Sequence, residues 1–451
     1  MHNPLQKRFY ALTIISALTV SICADEGPTA KFSGNGSLMF GQIVKGVSTS
    51  GNGEGGYLKN AWIFAPTFNI GLKADYNNNT RLLFDLGAEI MYTYALNSAL
   101  YDKDFAADQK VDKIALAICE AQAVYTVGGS DAERFPLQIG AGVFPYKYNP
   151  QVRNLGEYLF RASAYPVYFV NWFDAPFYRM AGVRATTAPF DWFAFDALMF
   201  SEMYQLPFRD ISCAGIAKFK IGKFAELGGG VDLSRIISIN KSYTTPPYTS
   251  NADIRAYSKD SIGVDPISGQ PILDTKCYTF ASTKCAVRAS IDPKAFLPWQ
   301  YFGPEDLKIY GECAILGLKN YPTHNVSYSA FYDTLSQRSP FMIGFNFPTL
   351  RILDVLAVEY EHCKTPYLPS SYYVFNSGSP VPVTAAERNL TMSEARWSVY
   401  AKRTLGAYSF LCQIAQDHYV ANNNNLTAQE RADAMPEKGN WWWSCKVAYG
   451  F

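Results

Sequence analysis

Apolar and polar positions alternate with a period of two in one stretch of the chain after another. From Thr80 to Ala95, Leu82, Phe84, Leu86, Ala88, Ile90, Tyr92 and Tyr94 share one parity, while Arg81, Asp85, Glu89 and Thr93 take the other. Successive side chains of a strand point to opposite faces, so this pattern predicts a strand with one apolar and one polar face. Residues 60–76 repeat it, with Trp62, Phe64, Phe68, Ile70 and Leu72 against Thr67, Asn69 and Lys73. The same reading gives further strands at 33–45, 111–127, 134–147, 178–187, 190–201, 211–221, 223–236, 277–291, 305–318, 340–347, 350–363, 395–403, 406–418 and 440–451. That is about sixteen, within a range of roughly fourteen to eighteen. Residues 350–363 carry a confused parity, with Asp354 and Glu359 on opposite faces, which predicts a bulge or a misplaced register.

The connections alternate between short and long. Residues 77–79, 128–133, 188–189 and 222 are tight; residues 96–110, 148–177, 202–210 and 237–276 are extended. This rhythm predicts an all-β fold, a transmembrane antiparallel up-and-down β-barrel with short periplasmic turns and long extracellular loops. The longer connection at 292–304 breaks the rule, standing where a tight turn belongs. A soluble β-sandwich would also bury one face of each strand, but its outer row would be charged rather than aromatic.

The two ends agree with that architecture. Lys7 and Arg8 precede an apolar run from Ala11 to Val20, then Ser21-Ile22-Cys23-Ala24 and the acidic Asp25-Glu26. This is the layout of a secretory signal, so residues 1–24 are read as a signal peptide and 25–451 as one barrel domain. Ile22 stands where a lipoprotein signal carries a small residue, which argues against lipidation of Cys23. In the final segment Trp441, Trp443, Cys445, Val447, Tyr449 and Phe451 share a parity, and the chain ends on that phenylalanine. An aromatic last strand ending in Phe451 resembles the closing strand of Gram-negative outer-membrane β-barrel proteins. The resemblance implies that the barrel-insertion machinery reads this strand and that membrane lipid and lipopolysaccharide surround the protein. In length and strand count the chain resembles porins, although the acidic Pro-Glu-Phe-Gly motif of the general trimeric porins is absent. A homotrimer is an assembly which that likeness leaves open.

Composition narrows the field. Charged residues are 18% of the chain, against about 25% in ordinary soluble domains, and aromatics reach 15%. The net charge of +1 argues against a nucleic-acid partner. Beyond the signal no apolar run approaches the ~18 residues of a membrane helix. Cys119, Cys213, Cys285, Cys313 and Cys445 fall on the apolar parity, where a thiol serves as a small hydrophobe. They are expected to be unpaired, and Cys277 is the candidate for any disulfide. No C-x2-C spacing suggests a metal, and no cofactor is implied. His324, His362 and His418 form no catalytic spacing; even Asp417-His418 at a strand end is better read as incidental, so no enzyme is expected.

With the apolar parity outward, the lumen wall carries Arg81, Asp85, Glu89, Lys218, Lys220, Lys284, Arg288, Arg396 and Lys402. Charges in such number need water or close pairing, which favours a hydrated channel. Sixteen strands leave an aqueous opening. Residues 148–177 are the candidate constriction loop, in the position of the porin loop that folds inward. Asn149-Pro150 predicts a helix start, and Arg153, Glu157 and Arg161 would recur on one of its faces as the pore constriction. The predicted function is passive diffusion of small hydrophilic solutes or ions. The alternative is a structural or surface-binding barrel with a closed lumen.

Overall fold

The computed structural model describes residues 29–45, 61–90, 92–95, 114–127, 137–161, 178–202, 211–237, 243–245, 248–250, 256–264, 266, 268–269, 271–278, 282–297, 300–318, 335–364, 367–368, 383–384, 394–416, 439 and 441–451. Residues 1–28 and most of the residues in the long loops lie outside these.

Sixteen antiparallel strands pair with their sequence neighbours and close on themselves. They are β1 (Thr29–Lys45), β2 (Ala61–Asp75), β3 (Thr80–Ile90, continued by Tyr92–Ala95), β4 (Ile114–Thr126), β5 (Leu137–Tyr146) and β6 (Tyr178–Phe190). Next come β7 (Phe193–Glu202), β8 (Ile211–Ile221), β9 (Ala225–Ile237), β10 (Ser282–Ile291) and β11 (Ile309–Ile315). The last five are β12 (Phe341–Asn346), β13 (Val355–His362), β14 (Ala395–Leu405), β15 (Tyr408–Ala415) and β16 (Trp441–Gly450). β16 returns to β1 in a register running from Asn35↔Gly450 to Lys45↔Trp441. The expected barrel and its strand number are therefore present. A closed sheet leaves no unpaired edge.

Parity decides what each face shows. Phe32, Phe40, Phe68, Ile70, Leu82 and Phe84 are exposed on the outside, as are Phe195, Met199, Phe219, Val231, Val287 and Ile343 farther round. The inward parity of the same strands holds Asp85, Asp196, Asp232, Lys284, Arg288, Glu312 and Glu359. The side chains of Glu89 and Ile90 lie outside the description. At the short-turn end, Phe190 and Trp192 stack at 5.3 Å and Phe193 meets Phe219 at 5.0 Å. These rings form part of an aromatic rim.

Three local expectations change. The confused parity of 350–363 comes from a turn and not a bulge: Leu350 and Arg351 have φ of 51° and 67°, and β13 begins at Val355 in unbroken register with β14. Asp354 lies before the strand, 3.5 Å from Arg403. A bulge sits instead in β4, where pairing with β3 slips between Asp85 and Leu86. Cys119 lies there and is buried, not turned outward. The long connection 292–308 is structured: a short 3-10 turn at Pro293–Phe296 is followed by Asp306, whose buried carboxylate accepts from Gly303 N, Thr349 Oγ1 and Leu350 N. The connection thereby ties the β10–β11 and β12–β13 turns together. Cys119, Cys213, Cys285, Cys313, Cys363, Cys412 and Cys445 are unbonded in this structure, and the side chain of Cys277 lies outside the description.

Candidate pore constriction

After β5 the chain turns into the barrel and crosses it. Tyr148, Val152, Leu155, Tyr158, Leu159 and Phe160 are all nearly inaccessible. They pack on inward side chains of β5 to β12, including Phe144, Met180, Phe200, Ile216, Tyr310 and Met342. Phe160 meets Tyr146 and Phe200 edge to face at 5.4 and 5.7 Å. Two wall glycines make the seat. A Cβ on Gly230 would come within 2.6 Å of Leu159, and one on Gly344 within 2.3 Å of the Tyr310 ring. Inward positions that meet the loop's side chains, such as Phe144, Met180, Phe200, Ile216, Gly230 and Gly344, are apolar or small because protein, not water, covers them.

The segment is held by carboxylates from the far wall. Glu359 on β13 accepts from the backbone N–H of Arg153 (2.5 Å), Asn154 (2.9 Å) and Leu155 (2.9 Å), and from the Tyr310 hydroxyl (2.9 Å). Glu312 on β11 accepts from the N–H of Glu157 (3.0 Å) and Tyr158 (2.6 Å) and from Asn149 Nδ2 (3.1 Å). Glu361 accepts from the Tyr158 hydroxyl at 2.8 Å and pairs with Arg396 at 3.0 Å. A loop buried in a lumen has backbone donors that water cannot reach, and each needs a partner. Gly156 and Glu157 both adopt positive φ, 83° and 63°, turning successive N–H groups toward the wall. Concave runs of amides of this kind receive anions.

The constriction residues named from the sequence separate here. The helix expected from Asn149 is confined to Tyr158–Arg161, so Arg153, Glu157 and Arg161 do not form one helical stripe. Arg153 pairs with Glu305 at 2.8 Å, and Glu305 also binds Lys308 at 2.7 Å. Glu157 turns back on its own segment and accepts from Tyr148 N (3.0 Å) and Asn149 N (2.5 Å). The side chain of Arg161 lies outside the description. Of the wall residues, Lys218 pairs with Asp196 at 2.8 Å, Lys284 with Asp232 at 3.4 Å, and Arg288 with Glu226 at 2.6 Å. Lys284, Arg288 and Arg396 are buried, each in an ion pair with an inward carboxylate. Lys220 stays exposed beside a cavity of about 260 Å³ beneath the loop, which Gln151, Lys223, Glu226, Ser290 and Lys308 also line.

The other side of the barrel is wet. Inward-facing Lys31, Ser33, Asn35 and Lys73 are exposed on β1 and β2. Arg81 is exposed too and meets Asp75 at 2.7 Å. Asp85 is half-buried on β3, and Lys402 is half-buried on β14. The interior is therefore divided into a packed half, where buried charges meet an opposite charge or, as at Glu359, backbone amides and a hydroxyl, and a polar half that keeps accessible lysines. The sequence pattern does not single out Glu305, Tyr310, Glu312, Glu359 and Glu361 as partners of the loop. Inward parity on β13 was the available signal for Glu359 and Glu361.

Glu157 gives the loop a pH dependence. Burial, reinforced by the nearby Glu312 carboxylate, pushes its acid up to about 8 from the ordinary 4.5, against the pull of Lys147 and the Asn149 and Tyr148 amides. A seated loop then holds a proton that a released one gives up. The stabilisation is complete below 4.5 and is lost as pH rises through about 8. The loop is expected to resist protease better at pH 5 than at pH 9. Glu157→Gln should flatten that difference, and an unchanged profile in the variant would assign the effect to another group.

No protein-family model and no curated protein matches the chain. Among solved structures it is similar to OmpF of Salmonella typhi, in a complex with daunomycin, at 10% identity and a TM-score of 0.47 over 95% of this chain and 99% of that one. It is also similar to a triple mutant of the Rhodopseudomonas blastica porin, at 8% identity and a TM-score of 0.43 over 94% of this chain and the whole of the other.

Proposed function

We propose that the chain is a porin-like channel of the cell outer membrane, passing small hydrophilic solutes or ions by passive diffusion without a cofactor. The observation that carries this is the divided lumen: the loop after β5 fills one half, while Lys31, Ser33, Asn35 and Lys73 line an accessible polar half. The exposed apolar rows and the aromatic rim support placement in a bilayer. Residues 1–24 serve as the export signal, and the C-terminal strand is handed to the barrel-insertion machinery. Lipid and lipopolysaccharide surround the barrel. No catalytic role is proposed.

Charge gives the selectivity. In the packed half Lys284, Arg288 and Arg396 are each paired with a carboxylate, so the accessible lysines set the field across the opening, and low-dielectric walls focus it. A weak anion preference follows. Arg153 and Arg161 are proposed to add to it from the loop, and the double substitution to glutamate should shift selectivity toward cations, most at low salt. Planar-bilayer recording of the purified protein is the test. Stable ohmic channels support the reading, and absence of conductance in any lipid favours a structural barrel with a closed lumen. Selectivity unchanged in the double variant would remove the two arginines from the filter.

A further inference from the structure

Two cysteines face each other across the last strand pair. Cys412 on β15 and Cys445 on β16 are direct partners in the antiparallel register. Both stand on the outer face, in line with the neighbouring pairs Tyr408↔Tyr449 and Ile414↔Trp443. Their Sγ atoms are 2.7 Å apart. That is closer than unbonded sulfurs rest and longer than the ~2.03–2.05 Å of a disulfide bond. Directly opposed residues on antiparallel strands have Cα atoms about 4.5–5.5 Å apart, within the ~4.4–6.8 Å that a disulfide spans.

No other pair of described cysteines meets this condition. Cys285 and Cys313 share the outer face of β10 and β11, but Cys285 pairs with Ile315 and Cys313 with Val287. They are diagonal neighbours, at ~7–8 Å, and too far for a bond without backbone movement. Cys119 and Cys363 are buried.

We propose that Cys412 and Cys445 are joined in a disulfide in the exported barrel, stapling β15 to the closing strand. The bond forms by thiol–disulfide exchange with an oxidised protein dithiol of the exporting compartment. One thiolate attacks the oxidant's disulfide and forms a mixed disulfide, and the second thiolate then displaces the oxidant as a dithiol. Two thiol protons and two electrons leave the chain, and the oxidant is reduced. Exchange takes place before the pair is covered by lipid, because thiolates need water. Once inserted, the bond is shielded from water-soluble reductants by the same lipid.

The inference rests on the reading of the chain as exported, and the experiment separates the two. Protein extracted from membranes would be alkylated under denaturing, non-reducing conditions and mapped by mass spectrometry. The expected result is a reducible link between the peptides bearing Cys412 and Cys445 in most molecules, with Cys445 becoming alkylatable in Cys412→Ser. Full alkylation of both thiols without reductant, or a link from either to another cysteine, overturns it. Protein refolded under reductant and then exposed to oxidised glutathione during folding tests the geometry alone. Failure to link there also overturns the proposal. A link made in that arm but absent from membrane-extracted protein overturns the modification in the cell while leaving the channel reading untouched. If Cys412→Ser does not assemble, Cys445→Ser and the wild-type map give the same decision.

Discussion

Glu359→Ala is expected to free the inward loop from the far wall and to raise single-channel conductance, with bursts of noise as the loop moves. Glu359 is 1% exposed and receives three backbone amides and one tyrosine hydroxyl. Hydrogen bonds to a charged group contribute about 1.5–3 kcal/mol each, and a buried donor left without a partner costs about 1–3 kcal/mol. Losing all four at once is comparable with what the segment's buried apolar side chains contribute at about 1.5–3 kcal/mol each, unless water enters to replace them. Either outcome opens the packed half. The barrel should survive, because the β13 ladder to β12 and β14 is made by backbone groups that the substitution does not touch. Glu359→Gln keeps the shape and one acceptor oxygen, so its effect should be intermediate. Conductance and protease resistance unchanged in Glu359→Ala would show that apolar packing alone seats the loop.

Deletion of Phe451 is expected to lower the yield of folded, heat-resistant barrel by about tenfold, which corresponds to ~1.4 kcal/mol at the closure. Phe451 makes both backbone bonds that extend the β1–β16 ladder: Gly34 N donates to its carbonyl and its own N–H donates to Gly34 O, each at 2.9 Å. Its ring lies over Gly34, where an added Cβ would come within 2.2 Å of the ring edge. It also continues a row of outer aromatics, with Tyr449 at 6.2 Å and Tyr408 a further 5.0 Å from Tyr449. The ring is 68% exposed and can swing outward, so Gly34→Ala should be much milder than the deletion. Heat-modified mobility on gels after refolding measures both. Equal yields for wild type and deletion would remove Phe451 from closure.

The two predictions differ in how far they could be read from the chain. Phe451 stands at the end of a period-two strand, and its role follows from local alternation plus the need of a barrel to close. Glu359 also lies in a legible strand, but its partners are Arg153, Asn154 and Leu155, some two hundred residues away. No local pattern marks a carboxylate that will receive another segment's amides. The same applies to Glu157, whose spacing from Arg153 suggested a helix face. The observed chain takes positive φ at Gly156 and Glu157, a geometry set by the wall it meets and against the preference of a non-glycine residue.

By itself the sequence determined a barrel of about sixteen strands, the direction of most faces, the side carrying the long loops and the strand that closes the barrel. These follow from a repeat of two, since one slip of register would turn every Phe and Leu of a row inward. Only the tertiary structure decided which half of the lumen is packed and which is wet. Inward parity is the same for Lys31 and Lys284, yet one is exposed and the other buried against Asp232 and the carbonyl of Leu159. Whether an inward charge meets water or a partner depends on where a distant loop comes to rest. That position is fixed by the sum of many weak contacts across the lumen, and no single stretch of the chain contains it.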